Sequence, residues 1–234
     1  MKVRESNWMD VERFLENDDR CILPLGSVEQ HAYISLATDL ILSERVAEDA
    51  AEPLGIPVFP ALPYGLAPYF QAYPGSMTLR VETYVRVVRE LLDGLRRSGF
   101  RRVLIVNGHG GNQPAGALAI EYGMDHPEMR IKFHNWWAAP RTMGAVRELD
   151  LDASHGSWME HFPWTHVADA DPPTTPKPAL DMNLLRVLPP GRVREYVGDG
   201  NYGGHYAMPE ETMLRIWAIA VEETRELLEG GWDL

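Results

Sequence analysis

At 234 residues and 45% hydrophobic content, the chain can bury a full core, and we expect one domain over residues 1–234. Its formal net charge of -12 argues against nucleic-acid and anionic-membrane partners, because such binding relies on Lys and Arg that neutralise phosphates. Cys21 is the sole cysteine, which excludes an intramolecular disulfide and indicates a small core residue. We see no apolar leader and no bilayer-spanning stretch in the sequence, and therefore expect a cytoplasmic protein.

Short apolar runs alternate with helical patterns along the chain. Runs typical of strands buried on both faces are residues 21–25, 56–59, 103–106 and 131–133. Apolar residues at helical spacing predict helices over 39–54 and 81–98, one that opens at Asn112, and a last one from Pro209. This alternation predicts an α/β fold, a single-domain three-layer α/β/α sandwich with a mostly parallel central sheet.

Two segments do not fit this alternation. Residues 168–178 are rich in proline, which excludes a helix or a central strand. The segment that follows is too short to bury much core alone, so we predict a long surface loop rather than a domain boundary. Residues 201–206 form a glycine-rich loop before the final helix.

Acidic and imidazole side chains follow two of the predicted strands. Glu29 and His31 come after the first strand, two residues apart, and Asp39 follows where the next helix begins. His109 lies in the segment Asn-Gly-His-Gly-Gly-Asn at 107–112, among glycines that offer it no side chain to pack against. Ligands of parallel α/β sheets bind at the carboxyl ends of the strands, so we expect these four side chains to meet.

Such a ligand set favours a metal site. Oxygen and imidazole ligands without thiolates suit divalent zinc, manganese or iron. A bridging carboxylate would allow two ions to share and deprotonate one water.

Simpler explanations exist for the same residues. Asp39 could serve only as a helix N-cap, and a lone Glu or His at a strand end is usually a hydrogen-bonded surface residue. The glycines of 107–112 could cradle a phosphate, although the segment lacks both the dinucleotide spacing and the Lys of a nucleotide loop.

Five segments, in chain order, resemble the signature blocks of the creatininase (creatinine amidohydrolase) family. They are Gly-Ser-Val-Glu-Gln-His at 26–31, Thr-Asp at 38–39, Tyr-Pro-Gly-Ser at 73–76, Asn-Gly-His-Gly-Gly-Asn at 107–112 and His-Gly-Ser-Trp-Met-Glu at 155–160. The first and fourth are the most specific, and together the blocks span most of the chain.

The resemblance implies two divalent metal ions per chain, a homo-oligomer, commonly a hexamer, and a small-molecule substrate. His155 would carry the proton beside the substrate, and we count Glu160 with it among the catalytic residues. Asp39 would bridge the two ions, whose implied ligands are Glu29, Asp39 and His109 for one and His31, Asp39 and Glu160 for the other.

Departures from the family pattern concern the pocket. Ala-Tyr-Ile-Ser at 32–35 replaces the common Gly-Pro-His-Leu, in a loop one residue shorter than usual. Gly111 stands where creatininase itself has a Glu, so a different carboxylate must serve the second metal, and Glu160 is the candidate. The resemblance therefore indicates a subfamily other than creatininase itself.

Several residues are candidates to line the substrate pocket. Trp136 and Trp137, just past the last predicted strand, could form an aromatic wall over a planar substrate. Core packing is an equal explanation for one of the two. Tyr33, Gly110 and Gly111 are the remaining candidates.

The implied activity is a metal-dependent amidohydrolase that cleaves a small cyclic amide or a related non-peptide C–N bond. A hydroxide held between the metals would attack the carbonyl, and His155 would deliver a proton to the departing nitrogen. Hydrolysis of a formamide, or of the C–C bond of a cyclic diketone, on the same metal centre is the alternative reaction. A non-catalytic small-molecule binding protein is the alternative of another class.

Overall fold

The computed structural model describes residues 1–232 as an α/β fold around a parallel sheet. Its strands are β1, Arg20–Leu25, β2, Arg102–Asn107, and β3, Arg130–Asn135, and they lie in the order β1-β2-β3. Three of the predicted strands, at 21–25, 103–106 and 131–133, form this sheet, and the prediction of a parallel sheet is confirmed.

Residues 56–59, predicted as a fourth strand, do not form a regular strand of the sheet. Its Val58 forms only isolated bridges, one of them parallel to Ile22 of β1. The backbone N–H of Ile22 donates to the carbonyl oxygen of Pro57 at 2.9 Å. Pro57 and Pro60 carry no backbone N–H themselves, so a continuous ladder cannot form along this edge.

The helices of the described residues form eight segments. They are α1 Trp8–Leu15, α2 Thr38–Ala51, α3 Val81–Ser98, α4 Gln113–Asp125, α5 Pro140–Leu149, α6 Met182–Leu185, α7 Pro190–Val197 and α8 Glu210–Glu229. The predicted helices correspond to α2, α3, α4 and α8. Within residues 1–232, no helix combines the length and the apolar composition needed to cross a membrane.

Helices cover both faces of the sheet, as the three-layer prediction requires. On one face, Ile22 and Leu104 pack in a cluster with buried residues of α2, α5 and α8. On the other, Cys21, Leu23 and Val103 pack with residues of α3 and α4. Successive strand residues point to opposite faces, so each strand supplies both cores. Cys21 is fully buried, which confirms its prediction as a core residue.

The two irregular segments have different roles. Residues 168–178 are mostly exposed and contain neither helix nor strand. The glycine-rich loop at 201–206 instead holds residues 155–160 by two backbone hydrogen bonds. The N–H of Tyr202 donates to the carbonyl of His155 at 3.0 Å, and the N–H of Trp158 donates to the carbonyl of His205 at 2.8 Å. This loop thereby fixes the segment 155–160 against the sheet end.

Candidate metal centre

The site begins where β1 and β2 end side by side. Leu25 and Asn107 are partners in the parallel register, and the N–H of Gly108 donates to the carbonyl of Leu25 at 2.8 Å. The loops that leave the two strands therefore run together. One loop carries Glu29 and His31, which converge from irregular backbone rather than from the strand itself, because β1 ends at Leu25.

Five predicted side chains lie in one buried cluster. Asp39 comes from the first turn of α2, and Glu160 comes from the short 3-10 helix Trp158–Glu160. No member of the cluster exposes more than 7% of its surface. Its members are Glu29, His31, Asp39, His109 and Glu160.

His109 faces two carboxylates with one ring nitrogen. Its Nδ1 lies 3.1 Å from Oε1 of Glu29 and 3.0 Å from Oδ2 of Asp39. Its Nε2 lies 2.9 Å from the carbonyl oxygen of Leu66. A carbonyl only accepts, so Nε2 carries a proton, and Nδ1 is the nitrogen that faces the carboxylates.

His31 repeats this arrangement on the other side of Asp39. Its Nδ1 donates to the carbonyl oxygen of Glu29 at 3.1 Å, so Nε2 is the free nitrogen. That Nε2 lies 3.0 Å from Oδ1 of Asp39 and 3.9 Å from Oε2 of Glu160. Asp39 thus offers one oxygen to each imidazole, as a bridging ligand would.

The donor set fits a bound cation. Lone pairs from imidazole and carboxylate converge at two points, and the ligand atoms within each group lie within 4.8 Å of one another. Among the described residues, Oε2 of Glu29 is buried and has no hydrogen-bond partner. Buried acceptors that face each other need a proton or a metal between them. Carboxylate and imidazole ligands without thiolate suit divalent zinc, manganese or iron.

Asp39 does not cap its helix. The N-cap of α2 is Ala37, and no side chain bonds to the first amides of the helix. The Asp39 carboxylate is held instead by the hydroxyl of Ser27, which donates to Oδ2 at 2.8 Å. The simpler explanation of this residue is therefore wrong.

Burial and mutual attraction shift the protonation of the cluster. Burial raises the pKa of Glu160 to about 7 and raises that of Glu29 above its ordinary value. Burial also opposes the charged form of His31, but the facing carboxylates, Asp39 foremost, outweigh it and raise the pKa of His31 to about 10. The carboxylates therefore hold a cation strongly, and a metal would compete there with protons.

His155 borders the cluster but differs from its other imidazoles. Its Nε2 lies 2.9 Å from both the carbonyl oxygen and the side-chain amide nitrogen of Gln30, and its Nδ1 lies 3.7 Å from Oε1 of Glu29. Its ring stacks on Phe70, with centroids 5.1 Å apart and an interplanar angle of 21°. Burial lowers the pKa of His155 well below its ordinary value, and the neighbouring His31 adds to this effect, which favours a neutral ring.

A cavity of about 660 Å³ opens above the cluster. Trp137 and Gly110 line it, whereas the lining does not include Trp136, Tyr33 or Gly111. Trp136 is 2% exposed and packs in the apolar core, so only the second tryptophan faces the cavity. Tyr33 turns away because its ring packs against an aromatic side chain of the glycine-rich loop.

Two glycines allow the close approach of the loops. A Cβ at Gly108 would overlap the carbonyl oxygen of Asp39, and a Cβ at Gly111 would overlap that of Leu66. Position 111 therefore has no room for a side chain. This leaves Glu160 as the carboxylate beside the second imidazole.

Gly108→Ala is expected to destabilise the protein by about 1–3 kcal/mol, because the methyl group forces the two loops apart. Gly123→Ala is the control, since a Cβ at this α4 position meets nothing within 4 Å. Alanine there should be neutral or stabilise the helix by about 0.5–1 kcal/mol. Thermal unfolding of both variants measures the difference, and equal melting temperatures would contradict the packing described here.

Sequence reasoning did not assign roles to several residues of the site. Ser27 and Gln30 lie inside the segment 26–31, so their position next to Glu29 and His31 could have indicated a role in the site. Phe70 and Tyr202, whose rings surround His155, lie in irregular loops and gave none.

Comparisons with known proteins indicate the family of the chain. A family model described as creatinine amidohydrolase matches residues 4–228. The chain is 32% identical to the creatinine amidohydrolase of Pseudomonas putida over 172 residues. This alignment covers 68% of this chain and 66% of that relative. It is also 32% identical over 98 residues to a 3-dehydro-scyllo-inosose hydrolase of Thermotoga maritima, 41% of this chain and 32% of the relative. These matches thus span less than two thirds of either relative's length.

Solved structures support the fold. A structure described as creatininase Mn gives a TM-score of 0.81 at 20% identity, covering 100% of this chain and 99% of the other. A creatininase variant of Zn-Zn type gives 0.77 at 21% identity, covering 100% and 98%.

Proposed function

Because the chain belongs to the creatininase family, we propose that it is a metal-dependent amidohydrolase acting on a small cyclic amide or a related non-peptide C–N bond. One observation carries this proposal. Nε2 of His31 and Nδ1 of His109 face the carboxylates of Glu29, Asp39 and Glu160 in a buried cluster where either protons or metal ions can neutralise the acidic groups. The cavity above the cluster has a volume typical of small-molecule sites.

The proposed ligands form two groups that share Asp39. Glu29, Asp39 and His109 would hold one ion, and His31, Asp39 and Glu160 the other. When bound, two divalent ions lower the pKa of a shared water and polarise the scissile carbonyl. The chain's own contribution is orientation, since backbone carbonyls fix the protonated nitrogen of each imidazole and the Ser27 hydroxyl fixes the bridging carboxylate.

His155 is proposed as the proton carrier. Its Nε2 is held by the backbone carbonyl and the side-chain amide of Gln30, whereas Nδ1 faces Glu29 and is the nitrogen that would exchange protons at the cluster. Because burial keeps the ring neutral, Nδ1 can accept the proton that hydrolysis releases and deliver it to the departing amide nitrogen.

The similarity to a 3-dehydro-scyllo-inosose hydrolase favours one second candidate, the hydrolysis of a C–C bond of a cyclic ketone at the same centre. We also propose that residues 1–234 form one creatininase-like domain that assembles as a homo-oligomer, a hexamer by analogy with the family.

Metal binding is the first expected result. After chelation and reloading with zinc, manganese or iron, elemental analysis should give up to two ions per chain. A ligand that binds only the folded state at about 100 times its Kd stabilises by about 2.7 kcal/mol, so the melting temperature should rise with added metal.

Glu211→Gln removes an exposed carboxylate at the start of α8, away from the cluster, and this variant should bind metal as the wild type does. Metal-loaded protein is then screened against lactams, hydantoins and formamides, and against cyclic ketones. A folded protein that takes up no metal at any concentration would overturn the proposed function.

A further inference from the structure

Two arginines line the cavity on its open side. Arg147 lies near the end of α5 and Arg186 directly follows α6, and both residues are exposed. The acidic and imidazole residues of the lining all belong to the cluster described above or border it. They are Glu29, Asp39, His109, His155 and Glu160. The cavity therefore has acidic groups at its buried end and guanidinium groups at its open end.

Neither guanidinium is neutralised by the part of the chain that the structure describes, where Arg147 and Arg186 make no ion pair and no side-chain hydrogen bond. Arg141, on the same helix as Arg147, instead pairs with Glu226 at 2.8 Å. Acidic partners are abundant in a chain of net charge -12, so two arginines without one at a cavity are not explained by composition.

Glu148, Asp150 and Asp152 line a groove together with Arg147, but none of these carboxylates forms an ion pair with its guanidinium in the described chain. Asp150, three residues after Arg147, accepts hydrogen bonds at Oδ2 from the indole of Trp158 at 3.1 Å and from the N–H of His205 at 2.8 Å. This carboxylate is used to hold the segment that carries Glu160. The guanidinium of Arg147 is left for another acceptor.

We propose that Arg147 and Arg186 bind a carboxylate of the substrate, which makes the substrate class a carboxylate-bearing amide. The planar guanidinium donates two parallel N–H bonds to a carboxylate and keeps its charge at every working pH. The amide of such a substrate lies at the buried cluster and its carboxylate at the open end. The proposal rests on the proposed function for the bond that is cleaved.

The cavity also has apolar lining that suits the body of such a molecule. Trp137, Leu151 and Met182 line the cavity together with the arginines. These side chains offer apolar surface to the part of the substrate that joins the amide to the carboxylate. Leu151 is 83% exposed, so the open end remains accessible to solutes in the described chain.

The test uses amides that differ only in the anionic group. One pair is pyroglutamate and its carboxamide, which share a lactam ring, and the other is N-formylglycine and its carboxamide, which share a linear formamide. Metal-loaded wild type is compared with Arg147→Gln, Arg186→Gln and the double variant. Arg97→Gln is the control, because Arg97 is exposed, lies on α3 and does not line the cavity.

The wild type should bind the acid of a pair more tightly than its carboxamide in calorimetry at low salt. Each single variant should weaken binding of the acid roughly tenfold, and the double variant more, as expected for a charge-assisted hydrogen bond. Binding of the carboxamide and metal content should not change. For the pair that is hydrolysed, the loss should fall on KM rather than on kcat.

The proposal is overturned if the wild type binds the acid and its carboxamide with equal affinity. It is also overturned if the wild type binds neither of them. The same holds if the variants change the sedimentation of the protein and leave acid binding intact, since the arginines would then pair with a second copy. Failure of the proposed function has a different signature. In that case the arginine-dependent preference for acids persists in calorimetry, but no amide is cleaved.

Discussion

Asp39→Asn is expected to abolish both metal binding and hydrolysis. The two oxygens of Asp39 face different imidazoles, Oδ1 toward His31 at 3.0 Å and Oδ2 toward His109 at 3.0 Å. An amide supplies one oxygen and places an NH₂ group where the second ion would bind. A neutral side chain also removes the negative charge that holds two cations together.

Elemental analysis and turnover are measured together for this variant, with circular dichroism to show that it folds. Ser27→Ala is the matched comparison, because it removes only the hydrogen bond to Oδ2 and leaves both oxygens in place. Loss of such a supporting bond typically costs about 10–100-fold in metal affinity or activity. An Asp39→Asn protein with full metal content would show that this carboxylate does not bridge.

His155→Ala should retain both metals and lose turnover by about 10²–10⁴-fold, the usual contribution of a general acid or base. The substitution leaves Glu29, His31 and the rest of the cluster in place and removes only the neutral ring at its border. Rates on the best substrate of the screen, with metal content measured on the same samples, give the result.

His166→Ala is the control for this substitution, since His166 is exposed and does not line the cavity. Loss of metal from His155→Ala would contradict the proton-carrier role. His155 forms a third group with Glu29 and His31 whose geometry could also hold an ion, so this outcome would make it a ligand.

The sequence was most informative where the topology of a parallel sheet dictates position. Glu29, His31 and His109 follow strands whose carboxyl ends must lie side by side, so their meeting could be predicted from the motif positions. Asp39 could be predicted with them because it begins the helix that returns from the first of these loops.

Other parts of the site depend on contacts between distant segments. Glu160 and His155 lie in a segment of little regular structure that the loop at 201–206 holds in place, and only the family resemblance pointed to them. Trp136 and Trp137 are neighbours in a short 3-10 helix, and no sequence pattern tells which of the two faces the core.

Two differences in secondary structure could have been anticipated. The prolines at 57 and 60 argue against a continuous strand at 56–59, although the apolar residues between them favour one. Helix α1 begins with a capping box, in which Asn7 accepts from the backbone of Asp10 and the Asp10 side chain accepts from the N–H of Asn7. That pairing is visible in the sequence, and the eight residues of the helix are strongly amphipathic, so both signals favour a helix here.

The central claim is that two metal ions share Asp39, and anomalous diffraction at the metal absorption edge of zinc-loaded or manganese-loaded crystals tests it most directly. We predict two peaks, one within about 2.0–2.3 Å of ligand atoms from Glu29, Asp39 and His109, and one equally close to His31, Asp39 and Glu160. Peaks that avoid Asp39, or a loaded crystal without a peak at this cluster, would contradict the account.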